Sequence, residues 1–147
     1  MITYEENILS AKQFIKLRES VGFRVIDEVQ AGKAIENGLY NVIAKDGDKV
    51  VGMGRLIGDG YIYWYVQDVV IDPEYQSKGI GKEIMRYLTE YIENNSIPNT
   101  TVTIALMAAK GKDDFYTKLG YFTRPTEKFG PGMMKFHEIP AKDNTNI

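Results

Sequence analysis

The sequence predicts an α/β (α+β) protein, a mixed and mostly antiparallel sheet with helices on both faces, and three observations carry that reading. First, Leu39 to Lys45, Lys49 to Ile57 and Tyr61 to Ile71 are β-branched and aromatic runs. They are separated by Asp46-Gly47-Asp48 and Gly58-Asp59-Gly60, which read as turns between three consecutive antiparallel strands. Second, Gln67 to Asn94 passes from an apolar run through a glycine-containing turn into a helical pattern. Third, Thr101 to Met107 is a further strand-like run after that helix, and a strand–helix–strand crossover of this kind is parallel and right-handed.

The elements follow in order. Met1 to Asn7 reads equally as a short strand or an extended lead-in. Ser10 is placed to cap a helix to about Glu19, and Gly22 breaks it. A second helix is expected from about Asp27 to Glu36, ending at Asn37-Gly38. In the central stretch, Pro73 ends the strand at Asp72 because the residue before a proline avoids the helical region. The helix beyond it carries Ile80, Ile84, Tyr87, Leu88, Tyr91 and Ile92 on one stripe. Gly111 to Leu119 reads as a short helix closed by Gly120, and Tyr121 to Arg124 with Gly132 to Ile139 as a terminal pair of strands. Residues 1–139 are expected to form a single domain and 140–147 a polar, frayed tail.

Composition limits the chemistry. The 147 residues are 44% hydrophobic and 26% charged with a net charge of -2, so the chain folds around a core and offers no global attraction for nucleic acid or an anionic membrane. Cysteine is absent, which removes disulfides, a thiolate nucleophile and thiolate metal ligands. One histidine, His137, cannot build a histidine-rich metal site, and no metal is expected. The N-terminal stretch lacks the apolar core of a signal peptide and no run reaches membrane-spanning length, so the expected location is cytoplasmic.

The chemistry concentrates between Val69 and Lys82. A strand that feeds Gln76-Ser77-Lys78-Gly79-Ile80-Gly81 and then a helix presents free backbone N–H groups at the positive end of that helix, a phosphate site in outline. The pattern is neither GxxxxGK[ST] nor GxGxxG, and an ordinary strand-to-helix turn is the plain alternative.

The segment VVIDPEYQSKGIGKEIM, with FYTKLGY about two dozen residues after it, resembles the Gcn5-related N-acetyltransferase family, near its arylalkylamine and serotonin N-acetyltransferase-like members. Gln76, Gly79 and Gly81 match the family's Gln-x-x-Gly-x-Gly. The resemblance implies acetyl-coenzyme A (acetyl-CoA) as cosubstrate, its diphosphate held by the N–H groups of Gln76, Ser77, Lys78, Gly79, Ile80, Gly81 and Lys82. It also implies a pantetheine arm lying along Val69, Val70 and Ile71, where that strand splays from the one starting at Thr101.

The same resemblance places Tyr116, in Phe115-Tyr116-Thr117-Lys118-Leu119-Gly120, as the acid that protonates the departing thiolate; a core tyrosine is the alternative in a chain with 10 tyrosines. Asp68, a carboxylate inside an apolar strand, is the candidate base, or else a structural acceptor of hydrogen bonds. It falls on the opposite alternation from Tyr65 and Gln67 unless a bulge intervenes. Tyr65 and Gln67, with Arg18 and Phe23 on the Arg18 to Arg24 loop and the loop around Phe129 to Met133, are expected to meet the acceptor. The function implied is direct transfer of acetyl to a primary amine of a small molecule. A protein or peptide acetyltransferase and a noncatalytic acyl-CoA-binding module are the alternatives, and a homodimer is the expected assembly.

Overall fold

A computed structural model describes residues 1–142. The chain divides into two compact units, Met1–Leu106 and the part from Met107 onward.

The first unit holds a five-stranded sheet in the order β1-β2-β3-β4-β5, comprising β1 (Ile2–Glu6), β2 (Tyr40–Asp46), β3 (Lys49–Gly58), β4 (Tyr63–Ile71) and β5 (Thr103–Ala105). The first four are antiparallel to their neighbours, and β5 joins β4 in parallel. The lead-in is therefore a strand, and three antiparallel strands with a parallel return are as expected. The chain leaves β1 for the first helix on a fixed path: Asn41 is buried, accepts from the Leu9 N–H through Oδ1 at 3.1 Å, and donates its own N–H to Asn7 Oδ1 at 3.2 Å.

Helices α1 (Ala11–Ser20) and α2 (Glu28–Glu36) lie against one face. Ser10 caps α1 in a reciprocal box with Gln13, and Asp27 caps α2 through the Gln30 N–H. Leu9, Phe14, Leu17 and Ala31 pack there on Ile43, Met53 and Val70 of the sheet. Helix α3 (Ile80–Asn95) covers the other face with Ile80, Ile84, Met85, Leu88 and Ile92 buried. Tyr87 and Tyr91 lie at the margin of its stripe, where they stack on Tyr4 of β1 and Tyr40 of β2. Each fully buried aliphatic side chain of α3 contributes about 1.5–3 kcal/mol.

The second unit contains α4 (Asp113–Thr117), shorter than the expected Gly111 to Leu119. Its end is closed by the Gly120 N–H on the Thr117 carbonyl, with Gly120 at φ 99°. The expected terminal strands, Tyr121 to Arg124 and Gly132 to Ile139, are not formed; among the described residues no strand follows β5. A strand needs a ladder partner, and the connection between these segments is instead taken up by its own turn, with Thr126 N–H on the Phe129 carbonyl and Arg124 Nε on the Gly130 carbonyl. The tail residues 143–147 lie outside the described residues.

Candidate active site

The strand-to-helix turn has the local geometry of an anion cradle. Ser77 and Gly79 take left-handed backbone values, φ 63° and 84°, and Gly79 is the N-cap of α3. No side chain caps this helix. The first amide to enter its ladder is that of Glu83, on the Gly79 carbonyl at 3.1 Å, which leaves those of Ile80, Gly81 and Lys82 at an uncapped, partly positive terminus. Gly81 sits in the helical first turn, so Gly79 alone of the two glycines is needed for the turn itself. Gln76 turns its side chain back, Nε2 donating to the Ile71 carbonyl at 3.0 Å, and so fastens the loop to the end of β4 without filling the cradle. Lys78 holds its ammonium 5.3 Å from the Tyr75 ring centre, and Tyr75 is fixed in turn by its hydroxyl on Asp46 at 2.7 Å.

Upstream of the cradle, β4 offers an open edge. Its pairing with β5 runs only from Tyr63 opposite Thr103 to Tyr65 opposite Ala105. From Val66 to Ile71 no strand of the described residues lies on that side, so Val69, Val70 and Ile71 can accept an extended, hydrogen-bonding ligand arm as an added strand would be accepted. Edge and cradle are contiguous in the chain. They suit a ligand with an amide-bearing arm at one end and a diphosphate at the other.

A bulge does intervene in β4. Met53 faces Val70 and Arg55 faces Gln67, so Gly54 alone is opposed by both Asp68 and Val69. Asp68 has φ 53° there. The extra residue returns Asp68 to the face of Gln67 and Tyr65, so these three candidates share one side of β4. The Asp68 carboxylate accepts from Arg18 Nη1 through Oδ1 and from Arg55 Nε through Oδ2, the latter at 3.0 Å. Phe23 lies 5.2 Å from the Arg18 guanidinium carbon. The structure therefore joins Arg18, Phe23 and Asp68 in one cluster, beside Gln67 and Tyr65 on the same sheet face. Arg55 was not singled out from sequence; a lone arginine inside the apolar run VVGMGRLIG, one strand from a lone aspartate, is the signal that marks it.

In the second unit, Tyr116 packs edge-on against Phe115 and Tyr121, at centroid distances of 4.9 and 6.0 Å. Burial raises its phenol above the ordinary value, so the group holds its proton. Burial, aided by Tyr116, pushes the Tyr121 phenol up to about 12.

Residues 37–122 match the sequence model of the acetyltransferase (GNAT) domain, which is more than half of the chain. The chain belongs to the GNAT acetyltransferase family. It is 31% identical to an uncharacterized ycf52-like N-acetyltransferase of Prochlorococcus marinus over 75% of this chain and 61% of the relative. It is 29% identical to serotonin N-acetyltransferase 2, chloroplastic, of Oryza sativa over 71% of this chain and 52% of that protein. The chain thus spans only about half to three fifths of these two relatives. Among solved GNAT-like structures, a protein of meticillin-resistant Staphylococcus aureus, described as a probable acetyltransferase of unknown function, superposes with a TM-score of 0.83 and is 31% identical. That match covers 93% of this chain and 100% of the other. The chain carries a GNAT acyltransferase domain with the family's mixed sheet and helices.

Proposed function

We propose that the protein transfers an acetyl group from acetyl-CoA to the primary amine of a small molecule. The observation that carries this reading is the continuity of the open β4 edge, Val66 to Ile71, with the uncapped N-terminus of α3. The edge would hydrogen-bond a pantetheine arm as it would an added strand, and the amides from Gln76 to Lys82 would hold the diphosphate, with Lys78 adding positive charge. Bound there, acetyl-CoA supplies an activated thioester.

The chain's own residues do the rest. Backbone N–H groups at the β4 bulge polarise the thioester carbonyl. Tyr65 and Gln67 orient the acceptor from the shared face, together with Arg18 at the end of α1 and Phe23 of the α1–α2 loop. The neutral amine nitrogen forms a bond to the acetyl carbon as the carbon–sulfur bond breaks; the nitrogen then gives up a proton, and the Tyr116 hydroxyl donates one to the leaving sulfur. Water accepts the amine proton in this scheme, because both Asp68 oxygens are engaged by guanidinium groups. The likeness to a protein named serotonin N-acetyltransferase and the aromatic residues Tyr65 and Phe23 favour an arylalkylamine acceptor.

The test is release of coenzyme A thiol from acetyl-CoA against a panel of arylalkylamines, polyamines, amino sugars, amino acids and N-terminal peptides. Release that depends on the small amines supports the reading. Release with peptides alone moves the acceptor to proteins. Tight cofactor binding without release on any amine favours a noncatalytic acyl-CoA-binding module.

A further inference from the structure

Asp68 occupies a backbone conformation that a non-glycine residue adopts at a cost, at the point where the β3–β4 register slips. Side chains from two other elements fasten it there. Arg18 of α1 holds one carboxylate oxygen and Arg55 of β3 holds the other. The side chains of Arg18, Arg55 and Asp68 are only 15%, 12% and 9% exposed, so the ion network is largely removed from water. Phe14 lies 5.5 Å from both guanidinium carbons, and the arginines reach further to the Arg24 and Ala34 carbonyls at 3.4 Å. Assembling such a network costs free energy that a well-packed apolar cluster would not, and its best-attested gain is a fixed geometry.

We propose that Arg18, Asp68 and Arg55 are positioning residues, a clamp that holds the β4 bulge in the shape that presents its backbone N–H to the thioester carbonyl; this rests on the acetyl-CoA reading above. Asp68 acts through the backbone it anchors and not as the base. Because Arg18 stands in the last turn of α1, beside the α1–α2 loop, the clamp ties the acceptor side of β4 to its cofactor edge. A base would need Asp68 alone. A clamp needs all three, and loss of any one produces the same defect.

The test compares Asp68→Asn, Arg55→Gln and Arg55→Lys with the wild-type chain. It reads amide hydrogen exchange across Val66–Ile71, calorimetric binding of CoA and of acetyl-CoA, and the pH profile of turnover. Asp68→Asn and Arg55→Gln are expected to exchange faster in that segment while α3 is unchanged, and to keep their affinity for CoA. Their preference for acetyl-CoA over CoA should fall by about fivefold, the worth of one hydrogen bond. Turnover should fall by about a hundredfold, as for a misplaced reacting group. Arg55→Lys, which keeps the charge but not the planar fork, is expected to fold and to recover only part of the loss. Wild-type exchange and preference in the variants would overturn the clamp. So would an Asp68→Asn defect confined to the acidic limb of the profile with Arg55→Gln at full turnover, which would make Asp68 the base. A wild-type chain that binds neither acetyl-CoA nor CoA overturns the acetyltransferase reading and the clamp with it, and is recognised without any variant.

Discussion

Tyr116 and Tyr40 are both phenols held away from ionisation, and substitution separates their roles. Tyr116 is raised by burial alone, and its ring packs on Phe115 and Tyr121 without using the hydroxyl. Tyr116→Phe should therefore fold like the wild type and turn over about a hundredfold more slowly, as for loss of a general acid. Steady-state rates with a saturating acceptor check this, and the variant should also lack the fall in activity expected of the wild type as pH rises through the raised Tyr116 value. Tyr40 is raised first by burial and then by its hydrogen bond to Glu6 Oε1, at 2.6 Å, while its ring stacks on Tyr91 at 4.2 Å. A folded value above the unfolded one means that Tyr40 contributes its full stability below about pH 10 and loses it as pH rises through the folded value. Tyr40→Phe is expected to cost about 1–2 kcal/mol at neutral pH. Urea melts at neutral and strongly alkaline pH should show the gap between the two proteins closing as pH rises.

At the scale of elements, the packing of β3 and β4 on α3 and the entry into α3 respond differently to one added methyl group. A Cβ on Gly54 would meet Ile84 Cγ2 at 2.6 Å, Leu88 Cδ1 at 3.3 Å and Val69 Cγ2 at 3.5 Å. Gly54→Ala should overpack this layer at about 1–3 kcal/mol, visible in thermal melts. It should weaken acetyl-CoA binding as well, because Val69 belongs to the bulge. A Cβ on Gly79 meets nothing within 4 Å, so Gly79→Ala bears only the backbone cost at φ 84°, about 1–2 kcal/mol. The contrast also explains what was legible in the sequence. The strand, turn and α3 could be read because the apolar period changes at Asp72-Pro73, a local signal. The bulge could not, because it is a relation between Gly54 on one strand and Asp68 with Val69 on another, and no single strand carries it. Arg55 was missed for the same reason: its partner is on β4. The terminal strands expected at Tyr121 to Arg124 and Gly132 to Ile139 are not formed, because a strand requires a partner ladder as well as a strand-like run.

For the whole molecule, the cradle and the open β4 edge both lie in one unit, Met1–Leu106. With a net charge of -2, the chain would hold the proposed anionic cofactor through oriented amides and Lys78 and not through its overall field. Binding should accordingly persist at salt concentrations that abolish purely electrostatic association, since amides at a helix terminus act at contact distance. A ligand that binds only the folded state at about 100 times its Kd stabilises it by about 2.7 kcal/mol. For a chain of this length that raises the melting midpoint by roughly 5–10 °C. Acetyl-CoA should give such a shift in differential scanning fluorimetry, and hydrogen exchange should place the added protection across Val66–Lys82. CoA should give a smaller shift, because it lacks the carbonyl that the bulge is proposed to hold. A midpoint unmoved by millimolar acetyl-CoA would remove the cofactor assignment, since no arrangement of residues can use a ligand that the folded chain does not bind.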